Sequence, residues 1–294
     1  MPAPTSLIAF AAAGTLLLWA SGFAGNRAAL ANLSPGELSL YRYGVASLVL
    51  AAIALVRPPV MPLRADLWRL ALTGALGIGI YNLALASGQR TVSAGSASFI
   101  VNTAPIFSAL LAWPFLGERP SRWGWVGLLV SLAGVALIAL GEGGGTISWG
   151  ALEVFVAALA WALYHIVQKP LLPRYGALGV VSYAIWSGTL MFLPFIPDLL
   201  AKLPVLPTST HAIAVYLGVL PGALAFVLWS FVLTHLPVTR ATALLYLIPV
   251  LTLAIAWLAL GEQPNALAVT GGVVAIVGVA IGRIRTAEPE AKPT

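Results

Sequence analysis

Residues 105–127 of this chain recur, without a gap, 144 positions further on. Under that shift Pro105 falls on Pro249, Ala112 on Ala256, Trp113 on Trp257, Leu116 on Leu260, Gly117 on Gly261, Glu118 on Glu262, Pro120 on Pro264 and Gly127 on Gly271. Eight identities in 23 positions, with Gly, Glu, Pro and Trp among them, exceed what apolar composition alone produces, so the chain is internally duplicated. Each copy reads as an apolar segment broken by a proline at mid-length, a Gly-Glu-x-Pro turn, and a second apolar segment.

The segments are long enough to cross a bilayer. Sixty per cent of the 294 residues are hydrophobic and eight per cent charged, far from the soluble range. One crossing takes about 20 apolar residues, and the sequence predicts ten: 7–27, 36–56, 66–87, 93–113, 122–141, 149–168, 177–199, 211–233, 238–259 and 266–284. The fold class expected is an all-α membrane protein, since the ten-residue alternation of a membrane β-barrel is absent. The first segment does not read as a cleaved signal, because no Lys or Arg precedes it and Trp19, Asn26 and Arg27 lie in or just beyond its second half. The connections are too short for a soluble domain. With no cysteine, disulfides and thiolate metal sites are excluded.

Five crossings per copy is an odd number, so the second copy is expected upside down relative to the first. The expected organisation is a first five-helix repeat over 1–141, a second, inverted one over 142–285, and a polar cytoplasmic tail over 286–294. Inverted repeats about an axis in the membrane plane are the architecture of secondary transporters. The net charge of +6 is not a nucleic-acid signal; its distribution gives orientation. With the N-terminus cytoplasmic, that side receives Arg57, Arg64, Arg69, Arg119, Arg122, Lys169, Arg174, Arg240, Arg283, Arg285 and Lys292, against Arg27, Arg90 and Lys202 on the other. Both termini are therefore expected in the cytoplasm, in a bacterial inner (plasma) membrane, with the lipid bilayer and a small-molecule substrate as partners and a monomer as the expected form.

The run Trp19-Ala20-Ser21-Gly22-Phe23, Tyr41-Arg42-Tyr43 at the start of the second segment, and the two Pro to Gly-Glu-x-Pro cassettes resemble the EamA family of the drug/metabolite transporter superfamily, over essentially the whole chain. Within it the chain resembles the aromatic amino-acid exporters of the YddG type. The resemblance implies a ten-helix exporter of small metabolites such as amino acids.

Candidate substrate-binding residues are those polar or aromatic at membrane depth. Trp19 and its counterpart Trp161 lie near the midplane. Tyr81 and Asn82 cannot face lipid cheaply and suit either an inter-helix hydrogen bond or a cavity. Asn102 and Tyr246 flank the repeated prolines Pro105 and Pro249. A proline inside a helix removes one hydrogen bond and displaces the carbonyl four residues earlier, so Val101 and Leu245 are expected to hold freed acceptors, and matched interruptions in two halves point to a binding site. His165 is one helical turn from Trp161 and suits a hydrogen-bonded helix contact or a proton carrier. Arg42, about 9 Å into its helix, reads either as a functional charge or as one that snorkels outward or pairs with Glu37. Glu118 and Glu262 read as caps on the helices that follow their turns.

The chemistry of catalysis is missing. All nine acids lie at segment ends, in loops or in the tail, and there is no P-loop, so no cofactor, metal site or enzymatic activity is expected. Facilitated export or exchange by alternating access follows for neutral, zwitterionic or aromatic solutes, with a channel or a membrane-embedded enzyme as the alternatives.

Overall fold

The computed structural model of the chain describes residues 5–104, 106–108, 111, 122–235, 244–263 and 265–283. Pro105, the Gly117-Glu118-Arg119-Pro120 turn, Pro264, Thr239, Thr242 and the 286–294 tail lie outside them. Every element among the described residues is helical.

Helix α1 spans Thr5–Ala29 and α2 Pro35–Val56. Ser34 starts α2 with a capping box: its hydroxyl accepts the Glu37 N–H, the Glu37 carboxylate accepts the Ser34 N–H at 2.6 Å, and Pro35 occupies the first turn, where no N–H is needed. Helices α3 (Leu67–Gly74) and α4 (Tyr81–Gly88) are joined by a π-helical stretch, Ala75–Ile80. Helix α5 begins at Ala94–Val101, capped by Ser93. Then come α6 (Arg122–Glu142), α7 (Trp149–Gln168), α8 (Leu172–Thr189), α9 (Ile196–Lys202), α10 (Thr208–Val219), a second π stretch at Leu220–Leu224, α11 (Ala225–His235), α12 (Ile248–Leu260) and α13 (Ala266–Arg283). Gly176, at φ 66°, separates the α7 crossing from the next.

Six helical stretches among the described residues are long and apolar enough to cross a membrane, and Leu245–Leu260 and Ala266–Gly282 are shorter apolar helices. Each expected segment contains described helix, the fourth and ninth only in part. The two π stretches correspond under the 144-residue shift, Ile80 falling on Leu224. In the second, Pro221 lacks the N–H that an α-helical turn would give to Leu217, and the register widens so that the Ala225 N–H reaches Leu220.

Packing follows the duplication. Helix α1 lies on α12, α11 and α10, as α7 lies on α5, α4 and the first π stretch; α2 lies on α10 as α8 lies on α3. Three pairs of counterpart segments touch across the repeats: α5 with α12, α2 with α8, and most extensively α6 with α13. In the last a Cβ on Gly127 would meet Gly278 O at 2.5 Å, and one on Gly134 would meet Gly271 O at 2.6 Å. Adding 144 to the first pair's α6 member gives the second pair's α13 member, so the contact is reciprocal and antiparallel. Ser131 donates to Ala275 O at 3.0 Å, and Ala275 is its own counterpart. A two-fold axis perpendicular to both helices passes there. Without a hydrophobic drive between helices in lipid, such small-residue seams supply the close packing that holds them.

Candidate functional site

Asn82 folds back on the first π stretch: its Nδ2 donates at 2.9 Å to Ile78 O, which also accepts the Tyr81 N–H. That fixes the amide so that Oδ1 faces α2, where it accepts the Tyr43 hydroxyl at 2.9 Å and lies 3.5 Å from Arg42 Nη1. Arg42 Nη1 also donates to Asn26 Oδ1 at 3.2 Å; Asn26 in turn donates to Gln89 Oε1, whose Nε2 donates to Phe23 O at 3.0 Å. Asn26, Arg42, Asn82 and Gln89 are all buried.

Both outward readings of Arg42 are therefore corrected. Its guanidinium does not snorkel, because α1 and α4 cover it, and it does not pair with Glu37, which is held by the capping box and by Lys202 Nζ at 2.8 Å. Helix α10 is drawn against it as well, since a Cβ on Gly218 would lie 2.5 Å from Arg42 O. Asn82→Leu leaves the Tyr43 hydroxyl buried without its acceptor, worth about 1–3 kcal/mol, and removes one of the two donors to the Ile78 carbonyl. We expect a clear fall in thermal stability in detergent, partly recovered by adding Tyr43→Phe; an unchanged melting temperature would remove Asn82 from the framework.

Beside this polar cluster lies an aromatic one. Trp161 stands 4.8 Å, ring to ring, from Tyr81, 4.9 Å from Tyr164 and 4.9 Å from His165. Trp161 and Tyr246 both pack against one buried cluster, made of Ala104, Ile106, Phe107, Ala158, Ala162 and Val279. The expected residues Tyr81, Trp161, His165 and Tyr246 are thus gathered, whereas the Trp19 ring meets Phe226 and Trp229, at 5.4 and 5.5 Å. His165 Nδ1 is 2.9 Å from Gln168 Nε2, the hydrogen-bonded helix contact of the two readings offered by the sequence.

The proline expectation divides. Pro105 lies outside the described residues. Pro249 does not interrupt a helix: it sits in the first turn of α12, and the Leu245 carbonyl is not free, because a 3-10 turn over Leu245–Leu247 brings the Ile248 N–H to it. Proline is tolerated there for want of an N–H to lose. Asn102 likewise spends its amide on its own helix, donating to Ser98 O at 2.8 Å.

Glu262 is also reassigned. Gly261 ends α12 at φ 67°, as its position before the turn suggests, but α13 is capped by Asn265, whose Oδ1 accepts the Leu267 N–H. The Glu262 carboxylate instead accepts the Ala94 N–H at 2.9 Å, at the start of α5, and pairs with Arg27 Nε at 2.9 Å. Arg27 Nη1 donates to the carbonyls of Gln89 and Arg90, and Glu142 accepts from Ser93. The ends of α1, α4, α5, α6 and α12 are tied into one knot. Among the described residues no three His, Asp or Glu side chains are grouped to hold a metal ion.

The profile of the EamA-like transporter family matches residues 6–140 and again residues 148–282. The probable terminal-alkyne amino-acid exporter of Streptantibioticus cattleyicolor is 40% identical over 272 residues, 92% of this chain and 92% of that protein. The uncharacterized transporter YdfC of Bacillus subtilis is 38% identical over 89% of this chain and 86% of its own. The uncharacterized inner membrane transporter YedA of Escherichia coli K12 is 24% identical over 83% and 84%. A solved crystal structure covers 99% of this chain and 100% of its own at a TM-score of 0.63 and 20% identity, a likeness of fold.

Proposed function

This chain belongs to the EamA-like transporter family, and from that premise we propose that it is a secondary transporter exporting amino acids, aromatic or other neutral and zwitterionic ones, by alternating access. The observation that carries the reading is the reciprocal seam of α6 and α13. Gly127 against Gly278 and Gly134 against Gly271 is the contact that two copies related by a two-fold axis in the membrane plane make. It supports ten crossings in two inverted repeats, 1–141 and 142–285, which can rock against each other about that axis. The positive-side count supports both termini in the cytoplasm, and the names of the relatives support an inner membrane and an amino-acid cargo. On that orientation the Arg27–Glu262 knot closes the outer end, and the substrate region is the Tyr81–Trp161–Tyr246 surface beside Asn82.

The test is counterflow in proteoliposomes with labelled L-phenylalanine, L-tryptophan, L-leucine and L-propargylglycine. Saturable counterflow with at least one is expected; flux linear in concentration would mean a channel, and none would reject the amino-acid reading. The contact with Gln168 supports a structural role for His165 over that of a relay. An imposed proton gradient is therefore expected to change flux by less than about twofold, and His165→Gln to leave transport near wild type. Substrate-driven alkalinisation of the lumen would overturn that expectation.

A further inference from the structure

We propose that Arg42 is the carboxylate-binding residue of the transport site. The inference rests on the transporter reading above and adds to it the chemical group that the site selects.

An arginine cannot shed its proton to escape burial, and one taken out of water needs an anion or a full set of acceptors. Arg42 is 9% exposed and, among the described residues, has no carboxylate partner. Its hydrogen bonds run through Nη1 alone, to Asn26 and Asn82, while Nε has no acceptor. The bonded and unbonded edges divide usefully. A guanidinium takes a carboxylate side-on through Nε and Nη2, the edge that makes no hydrogen bond here.

The surroundings are built to present that edge. The Asn26 oxygen is turned toward Arg42 because its nitrogen donates to Gln89, and Gln89 is fixed by Phe23 O; the Asn82 oxygen is turned because its nitrogen donates to Ile78 O. Two neutral amides thus hold the cation in place without neutralising it. Tyr43 covers one face, 5.0 Å from the guanidinium carbon. Asn82 is the residue after Tyr81, and Tyr81 is 4.8 Å from Trp161, so an anion at Arg42 leaves the rest of a bound amino acid beside aromatic rings. The substrate class is a free α-carboxylate with an apolar or aromatic side chain; amines and amides of the same shape lack the anion. Among the described acids Glu37, Asp66 and Glu262 have cationic partners of their own and Glu142 is held by Ser93, and no ion pair joins Arg42 to any described carboxylate.

The experiment reads two quantities on wild type, Arg42→Gln and Arg42→Lys. The first is thermal stability of purified protein with 3-phenylpropionate, L-phenylalanine, L-phenylalaninamide, phenethylamine, chloride or phosphate. Wild type is expected to be stabilised by the two carboxylates and by neither amine nor amide; Arg42→Gln, freed of an uncompensated charge, is expected to be at least as stable without ligand and to lose the response. Arg42→Lys, a point charge without the side-on fork, is expected to keep a weaker response. The second is counterflow of whichever amino acid wild type carries, expected to fall about tenfold or more in Arg42→Gln. Amino-acid counterflow retained in Arg42→Gln would overturn the assignment and leave the transporter reading standing. Equal stabilisation of wild type by chloride or phosphate would make the anion structural and overturn it too. Wild type that carries no amino acid yet gains stability from carboxylates through Arg42 would fail the transport reading while upholding the site, and no response to any carboxylate would end the proposal.

Discussion

Gly134→Leu is expected to abolish the folded protein. A Cβ at Gly134 would lie 2.4 Å from Ala275 N and 2.6 Å from Gly271 O, both backbone atoms, so no rotamer change makes room and the α6–α13 seam must open along its length. Overpacking costs about 1–3 kcal/mol where side chains can give way, and here they cannot. The control is Gly44→Ala. Gly44 is helical in α2 and nothing lies within 4 Å of its Cβ position, so alanine is expected to stabilise by about 0.5–1 kcal/mol through backbone entropy. Two glycine substitutions of opposite sign are read by thermal unfolding in detergent and by the monodisperse yield. A Gly134→Leu protein that purifies with the wild-type melting temperature would show that the seam is not the joint between the halves.

Much of the fold was legible because its signals are local or periodic. Apolar lengths place the helices, Gly-Glu-x-Pro marks a turn, and a 144-residue repeat predicts which helices are counterparts. The seam itself was within reach: Gly127 and Gly271 are one of the eight identities, and each meets a glycine of the opposite copy, Gly127 at Gly278 and Gly271 at Gly134. The π stretches were not legible. Gly74, Gly77 and Gly79 signal close approach, which they deliver, Gly77 against Tyr164 and Gly79 against Met191. The widened register comes from Pro221 in one copy, and nothing in the first copy's sequence marks it.

At the candidate site, reasoning along single helices named several residues that the structure brings together, Tyr81, Trp161 and His165 among them, and some wrong partners. Arg42 is shallow by rise per residue, but depth along an axis says nothing about which neighbours wrap the side chain. Asn26 and Gln89 stood in view as polar residues near segment ends, and their bond joins positions 63 residues apart. Pro249 resembled a mid-helix break because the sequence does not reveal the 3-10 turn over Leu245–Leu247 that puts it in the first turn of α12. Glu262 was misassigned for a related reason: capping rules name the nearest helix start, and its carboxylate went to one 168 residues earlier in the chain.

That reassignment reverses an expectation. As a cap on α13, Glu262 would be dispensable for transport; as the joint between Arg27 and the α5 N-terminus, it is, on the proposed orientation, the contact expected to hold the outer end shut. Glu262→Gln keeps the size and an acceptor oxygen but removes the charge that serves both partners. Arg27 and Glu262 are partly exposed, their side chains 32% and 18% accessible, so we assign the loss about 1–2 kcal/mol rather than the value of a dry pair. On a two-state equilibrium that is a factor of roughly 5–30 toward the outward-open form. The chain has no cysteine, so a single reporter can be placed without background. Ala97→Cys sits one turn inside Ser93 on α5 and is fully buried when the end is closed. A membrane-impermeant maleimide added from outside is expected to label it about tenfold faster with Glu262→Gln, and counterflow to fall as the return step slows. Arg27→Gln is expected to do the same, and the double variant no more than either alone, because both remove one interaction. Equal labelling and equal counterflow in all four proteins would show that the knot is not the gate; an effect of Glu262→Gln that adds in full to that of Arg27→Gln would assign the carboxylate's role to the Ala94 N–H and α5 instead of the ion pair.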